Sequence, residues 1–110
     1  MNLMTETINN TVVIHVNEER LDAHNSADLK LEFLKLFESG SQHLLVDLKD
    51  VRFIDSSGLG ALVSGFKNAT SSHGNLRLAA LQPQVKSMFE LTRLHRVFEI
   101  YQTVADALGK

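Results

Sequence analysis

Two β-prone segments open the chain, LMTETI and TVVIHV, with Asn9-Asn10 between them. Asparagine tolerates positive φ, so the pair predicts a tight hairpin turn. NEERLDAHNS is polar and reads as a loop. Asn25 or Ser26 then caps a helix, with Asp28 in the first turn where an acid suits the helix dipole. Leu29, Phe33, Leu36 and Phe37 recur at helical spacing, and Gly40 ends the segment. HLLVDL is a nearly continuous apolar run, as expected for a strand covered on at least one face, and VRFID is a second short extended piece. Leu59, Leu62, Val63 and Phe66 form the next helical stripe, which ends near SSHGN. LRLAAL reads as a strand. Pro83 opens a helix at a favoured early position, with Val85, Met88, Phe89 and either Leu91 or Thr92 turned inward. VFEIY is a final strand, and TVADALG a short closing helix with Thr103 as its cap.

After the hairpin the order is therefore α-β-α-β-α-β-α. Such alternation implies mainly parallel pairing with right-handed crossovers. Crossovers that add strands in one direction put their helices on one face. The expected fold is α/β: a mixed, mainly parallel sheet of four to five strands with about four helices packed largely on one face. No repeat, linker or low-complexity segment divides it, so residues 1–110 are expected to form one domain.

Composition then removes classes of function. The chain has no cysteine, which excludes disulfides and thiolate metal sites. Thirteen acids against 11 bases give a net charge of −2, with no block of like charge, which argues against a nucleic-acid or anionic-lipid footprint, since that needs a basic face. MNLMTETINN lacks the features of a signal peptide, and no apolar run approaches the roughly 20 residues of a membrane span. These features lead us to expect a soluble cytoplasmic domain without membrane insertion.

The candidate chemistry lies in VRFIDSSGLGALVSGF, Val51 to Phe66. A nucleophile elbow needs G-x-S-x-G, but Ile54-Asp55 precede the serines, and none of the five histidines (His15, His24, His43, His73, His95) shares a local motif with them. Gly60 to Lys67 misses the P-loop pattern because Phe66 separates Gly65 from Lys67. Asp47, Asp50 and Asp55 lack the spacing of a calcium loop and are expected at a solvated strand-to-loop edge. No cofactor or metal is called for, and no enzymatic activity is expected. A serine cap contributes about 1 kcal/mol and explains one hydroxyl. It does not explain two glycines at a helix start, each costing up to ~1 kcal/mol relative to alanine. A bare, dipole-positive helix mouth with hydroxyls suits docking and suits a phosphoryl group.

FIDSSGLGALV, with HLLVDLKDV upstream, resembles the signature of anti-sigma factor antagonists, which are single STAS domains. RLDAHNSADLK is similar to the family's loop-and-helix, and GNLRLAALQPQVKSMFELTRLHRVFEIYQT to its final strand–helix–strand unit. The chain departs from the family pattern at Glu19-Arg20, where Gly-Glu is common, and at Arg93, where Gly is common. The resemblance implies partner switching. The unphosphorylated protein binds an anti-sigma factor that is itself a serine kinase of histidine-kinase-like ATPase type, and so releases a sigma factor. Phosphorylation ends the binding, and a PP2C-type serine phosphatase restores it. Carried over by residue, the acceptor is Ser56, and Asp22, Asp55, Ser57, Gly58, Leu59 and Gly60 lie on or near the partner surface. The residues alone do not choose between Ser56 and Ser57. The alternatives are a STAS scaffold subunit of a membrane or lipid-transport assembly and a switch with a non-sigma output such as biofilm formation.

Overall fold

The computed structural model describes residues 1–109. In chain order its elements are β1 (Leu3–Ile8), β2 (Thr11–Val16), β3 (Arg20–Leu21), α1 (Ser26–Glu38), β4 (His43–Asp47), β5 (Phe53–Ile54), α2 (Ser56–Ser71), β6 (Asn75–Ala79), α3 (Pro83–Leu91), a 3-10 turn (Leu94–Arg96), β7 (Ile100–Tyr101) and α4 (Val104–Ala107). Asn9 and Asn10 take φ of 50° and 67°, as the hairpin turn requires. β1 pairs antiparallel with β2, and β2, β4, β6 and β7 follow in parallel, in the order β1-β2-β4-β6-β7. A second sheet contains only β3 and β5, also parallel.

Register decides which residues share a face. Ile14, Val46 and Leu78 stand side by side across β2, β4 and β6, and all three are fully buried. Together with Leu44 and Leu76 they form the floor under α1, α2 and α3, whose Phe33, Leu62 and Phe89 are also inaccessible. The alternate residues Val13, Leu45 and Ala79 point the other way and pack with Ala107 of α4. Arg77 ties α4 down by donating from Nη1 to the Ala107 carbonyl at 2.7 Å. The three crossover helices thus share one face, as the alternation predicts. α4 follows the last strand, is not a crossover, and covers part of the opposite face. Its cap is the expected one: Thr103 Oγ1 accepts from the Asp106 N–H at 3.0 Å.

Three local readings need correction. The polar NEERLDAHNS stretch is not all loop, because Leu21 is fully buried and anchors β3 against β5. Neither Leu91 nor Thr92 turns inward. Leu91 is 79% exposed, because α3 ends there and the chain turns left-handed at Arg93 (φ 62°). Strand β7 is shorter than VFEIY because Phe98 leaves the sheet for the core, edge-on to Phe66 at 5.2 Å and to Phe89 at 5.6 Å between ring centroids. The α2 stripe faces the core as expected, with Leu59 and Leu62 buried and Val63 and Phe66 packed against it, and the helix also packs through small residues: Gly58, Ala61, Gly65 and Ala69 are all buried. A Cβ on Gly65 would lie 2.5 Å from the Phe33 ring, so its absence sets how closely α1 and α2 approach.

Candidate functional site

Asp55 leaves β5 in an extended conformation and caps α2, its Oδ1 accepting from the Gly58 N–H at 2.9 Å. The acid therefore performs the capping that the sequence offered to a serine. This leaves the two hydroxyls free: among the described residues, neither Ser56 nor Ser57 makes a side-chain hydrogen bond, to a histidine or to any other group. Ser56 is exposed at the first position of the helix, and Ser57 is half-buried behind it.

The two glycines have different surroundings. A Cβ on Gly58 would lie 2.4 Å from the Leu21 carbonyl oxygen and 2.7 Å from Ile54 Cγ1. Gly58 is thus required for the first turn of α2 to seat on the β3–β5 pair. Gly60 has nothing within 4 Å of the same position and faces solvent. The structure buries Gly58, and Leu59 with it at 5% exposure, so the expected Ser56–Gly60 surface is presented by Ser56, Ser57 and Gly60.

Asp22 arrives from β3. Parallel pairing sets Arg20 beside Phe53 and Leu21 beside Ile54, so the residues that follow, Asp22 and Asp55, emerge together. Both line a shallow recess of about 200 Å³ with Arg20, Phe53, Ile54 and Gln84. The loop after β3 is tied to itself. Asn25 Oδ1 accepts from the Asp22 N–H at 2.9 Å, Asn25 Nδ2 donates to the Arg20 carbonyl at 2.8 Å, and Asp22 Oδ1 accepts from the His24 N–H at 2.9 Å. Asn25 thus occupies the N-cap position of α1 but uses its amide to shape this loop. Arg20 lies over the Phe53 ring, 5.0 Å from its centroid. A larger recess of about 810 Å³, floored by Phe89 and Phe98, shares no lining residue with this site.

The sequence does not single out Phe53 or Gln84 as residues of the site. Phe53 alternates with buried Ile54 and is 40% exposed, a signal present in the FI dipeptide. Nothing in the sequence marks Gln84, whose neighbours are set by tertiary packing. Asp47 also needs correction. It is not at a solvated edge but 3% exposed on the open face of the sheet. Its Oδ2 meets His15 Nδ1 at 2.7 Å, while His15 Nε2 meets Glu6 Oε2 at 2.6 Å. Burial works against the imidazolium, but the hydrogen bonds to Glu6 and Asp47 and their charges outweigh it and raise the His15 pKa above 6.5. No group of three or more metal-ligating side chains among the described residues could hold a metal ion. No helix among them is long and apolar enough to cross a membrane.

The chemistry on offer is an exposed hydroxyl at an anion-tolerant helix mouth, beside a recess with two carboxylates, an aromatic ring and an amide. Residues 2–107 match the STAS domain family. The chain is 32% identical over 101 residues to the anti-sigma-B factor antagonist of Bacillus subtilis, covering 91% of this chain and 92% of the relative. It is 26% identical to the anti-sigma F factor antagonist of Paenibacillus polymyxa, covering 98% and 94%. The crystal structure of a candidate anti-sigma factor antagonist from Thermotoga maritima superposes with a TM-score of 0.91 at 29% identity, over 96% of this chain and 91% of that one. Signature, topology and these likenesses agree: the chain belongs to the STAS domain family, beside relatives named anti-sigma factor antagonists.

Proposed function

We propose that this protein is a partner-switching regulator, a binding protein rather than an enzyme. Its unphosphorylated form binds an anti-sigma factor that is a serine kinase of histidine-kinase-like ATPase type, and thereby releases a sigma factor. The kinase phosphorylates Ser56, the product no longer binds, and a PP2C-type phosphatase resets it. The partner surface comprises Asp22, Asp55, Ser57 and Gly60 around Ser56, with Gly58 and Leu59 shaping it from beneath. The observation that carries the reading is the Ser56 hydroxyl itself, exposed at N1 of α2 and released from capping by Asp55. A constitutive scaffold has no use for such an acceptor.

Incubation with the anti-sigma kinase from the same cells and ATP tests the assignment. Wild type and Ser57→Ala are expected to take one phosphate, and Ser56→Ala none. Full labelling of Ser56→Ala, mapped to Ser57, overturns it.

A further inference from the structure

Strand β5 is satisfied from two sides by different means. On one side the N–H groups of Arg52 and Phe53 donate to the Glu19 carbonyl at 2.8 and 3.2 Å, and the Asp55 N–H donates to the Leu21 carbonyl at 3.3 Å. The intervening residue, Ile54, directs its N–H and C=O away from β3. Its side chain is buried, and no strand lies on that flank. A glutamine takes the strand's place. Gln84 Oε1 accepts from the Ile54 N–H at 3.0 Å, and Gln84 Nε2 reaches back to the Ile54 carbonyl at 3.5 Å. A side-chain amide has the same donor and acceptor as a peptide group, so one residue imitates a neighbouring strand. Gln84 itself is fixed: it follows Pro83 in the first turn of α3, and Val85 beside it is fully buried. The chain therefore runs from a helix anchored in the core, through one amide, to the peptide group two residues before Ser56.

We propose that Gln84 is a positioning residue for phosphoryl transfer, holding β5 so that Asp55 and Ser56 meet the kinase in register. This rests on the reading of Ser56 as the acceptor. In the step served, Ser56 Oγ bonds to the γ-phosphorus of ATP as the bond to the bridging oxygen of ADP breaks. The hydroxyl proton passes to a base on the kinase. Gln84 touches none of these atoms. It fixes the strand that delivers one of them, and displacements of about 1 Å at reacting centres cost up to ~100-fold in rate. Docking, spread over several residues, tolerates the same displacement better.

The test compares wild type with Gln84→Met, of similar length but without the amide, and Gln84→Asn, which keeps the amide but is one methylene short. Each is assayed with the anti-sigma kinase from the same cells and ATP, and by amide exchange at Ile54. Both variants are expected to melt cooperatively, to exchange the Ile54 N–H faster, and to lose roughly tenfold or more in kcat with KM within about twofold. Should Gln84→Met fail to fold, Gln84→Asn decides. Wild-type kcat in a folded variant, or a kcat that falls only with the folded fraction, overturns the proposal. Failure of wild type to be labelled on Ser56 overturns the functional reading, and this inference with it.

Discussion

In the five-stranded sheet, β2, β4 and β6 have backbone partners on both sides, and their buried residues are aliphatic apart from Thr11 and Asp47. In the two-stranded sheet, each strand contributes two residues, and side chains complete the work: Gln84 against Ile54, Asn25 against the Arg20 and Asp22 backbone, Asp55 against Gly58. All the candidate partner residues follow directly from this smaller sheet. The central strands of the large sheet, paired through the backbone on both sides, turn most of their side chains into the core. A small sheet closed by side chains leaves Asp22, Phe53 and Ser56 at the surface while holding their backbone in place. Modification there is expected to alter what the protein binds, whereas changes in the large sheet alter whether it folds.

The largest expected effect tests that division. Phosphorylation adds roughly −1.5 to −2 charge. Within the domain the charge meets the N-terminus of α2, worth about 0.3–1 kcal/mol, with Asp55 opposing it. At an interface the same phosphate must be desolvated beside Asp55, where unpaired or like charge costs several kcal/mol. A loss of about 100-fold or more in partner affinity is expected, since each ~1.4 kcal/mol is tenfold, with little change in melting temperature. Ser56→Asp imitates this in part, and Ser56→Ala keeps binding. Calorimetry and thermal melts on the phosphorylated protein measure both sides. Loss of cooperative melting would mean that the switch works by unfolding, and the contrast between the sheets would fall.

The two glycines sharpen it. Gly58→Ala places a methyl group against the Leu21 carbonyl, a backbone atom that moves only if β3 moves. Destabilisation at the upper end of the ~1–3 kcal/mol seen for overpacking is expected. Gly60→Ala meets open space in an exposed helical position. There alanine is expected to stabilise by ~0.5–1 kcal/mol, raising the melting temperature by several degrees. If the bare backbone at Gly60 receives the partner, the same substitution weakens binding. Denaturant titrations and partner affinities of the two variants separate a glycine needed for packing from one available for docking.

Much of this was legible in the sequence. Asn9-Asn10, Pro83, Thr103 and the strand–helix alternation led to the hairpin, the cap and the parallel order, because each is a local rule obeyed locally. DSSGLG located the helix mouth. The readings that failed depended on distant neighbours. Leu21 looks like one apolar residue in a polar loop until β5 is beside it. Asp47 belonged to an acidic-looking edge until the register set it against His15. Gln84 had no sequence signal at all, since a glutamine in the first turn of a helix is ordinarily a surface residue.

The smallest effect returns to the large sheet, whose open face carries a linked set of charges. His15 stands between Glu6 of β1 and Asp47 of β4, and Lys49 approaches Asp47 Oδ2 at 3.4 Å. With both ring nitrogens facing carboxylate oxygens, the imidazolium is the form that satisfies the site, and the native pKa lies above the unfolded 6.5. Between those two values the native state holds more protons than the unfolded state, so stability falls as pH rises. The contribution is fully present below 6.5 and is lost as pH passes the raised native value. Denaturant midpoints should therefore decline across that window in wild type. His15→Gln, which cannot take a proton, should remove the decline while leaving Ser56 labelling unchanged, because the cluster lies on the sheet face opposite the crossover helices. A decline that persists in His15→Gln would place the titrating group elsewhere. A change in Ser56 labelling would mean that the two sheets are coupled and that the division of labour between them is incomplete.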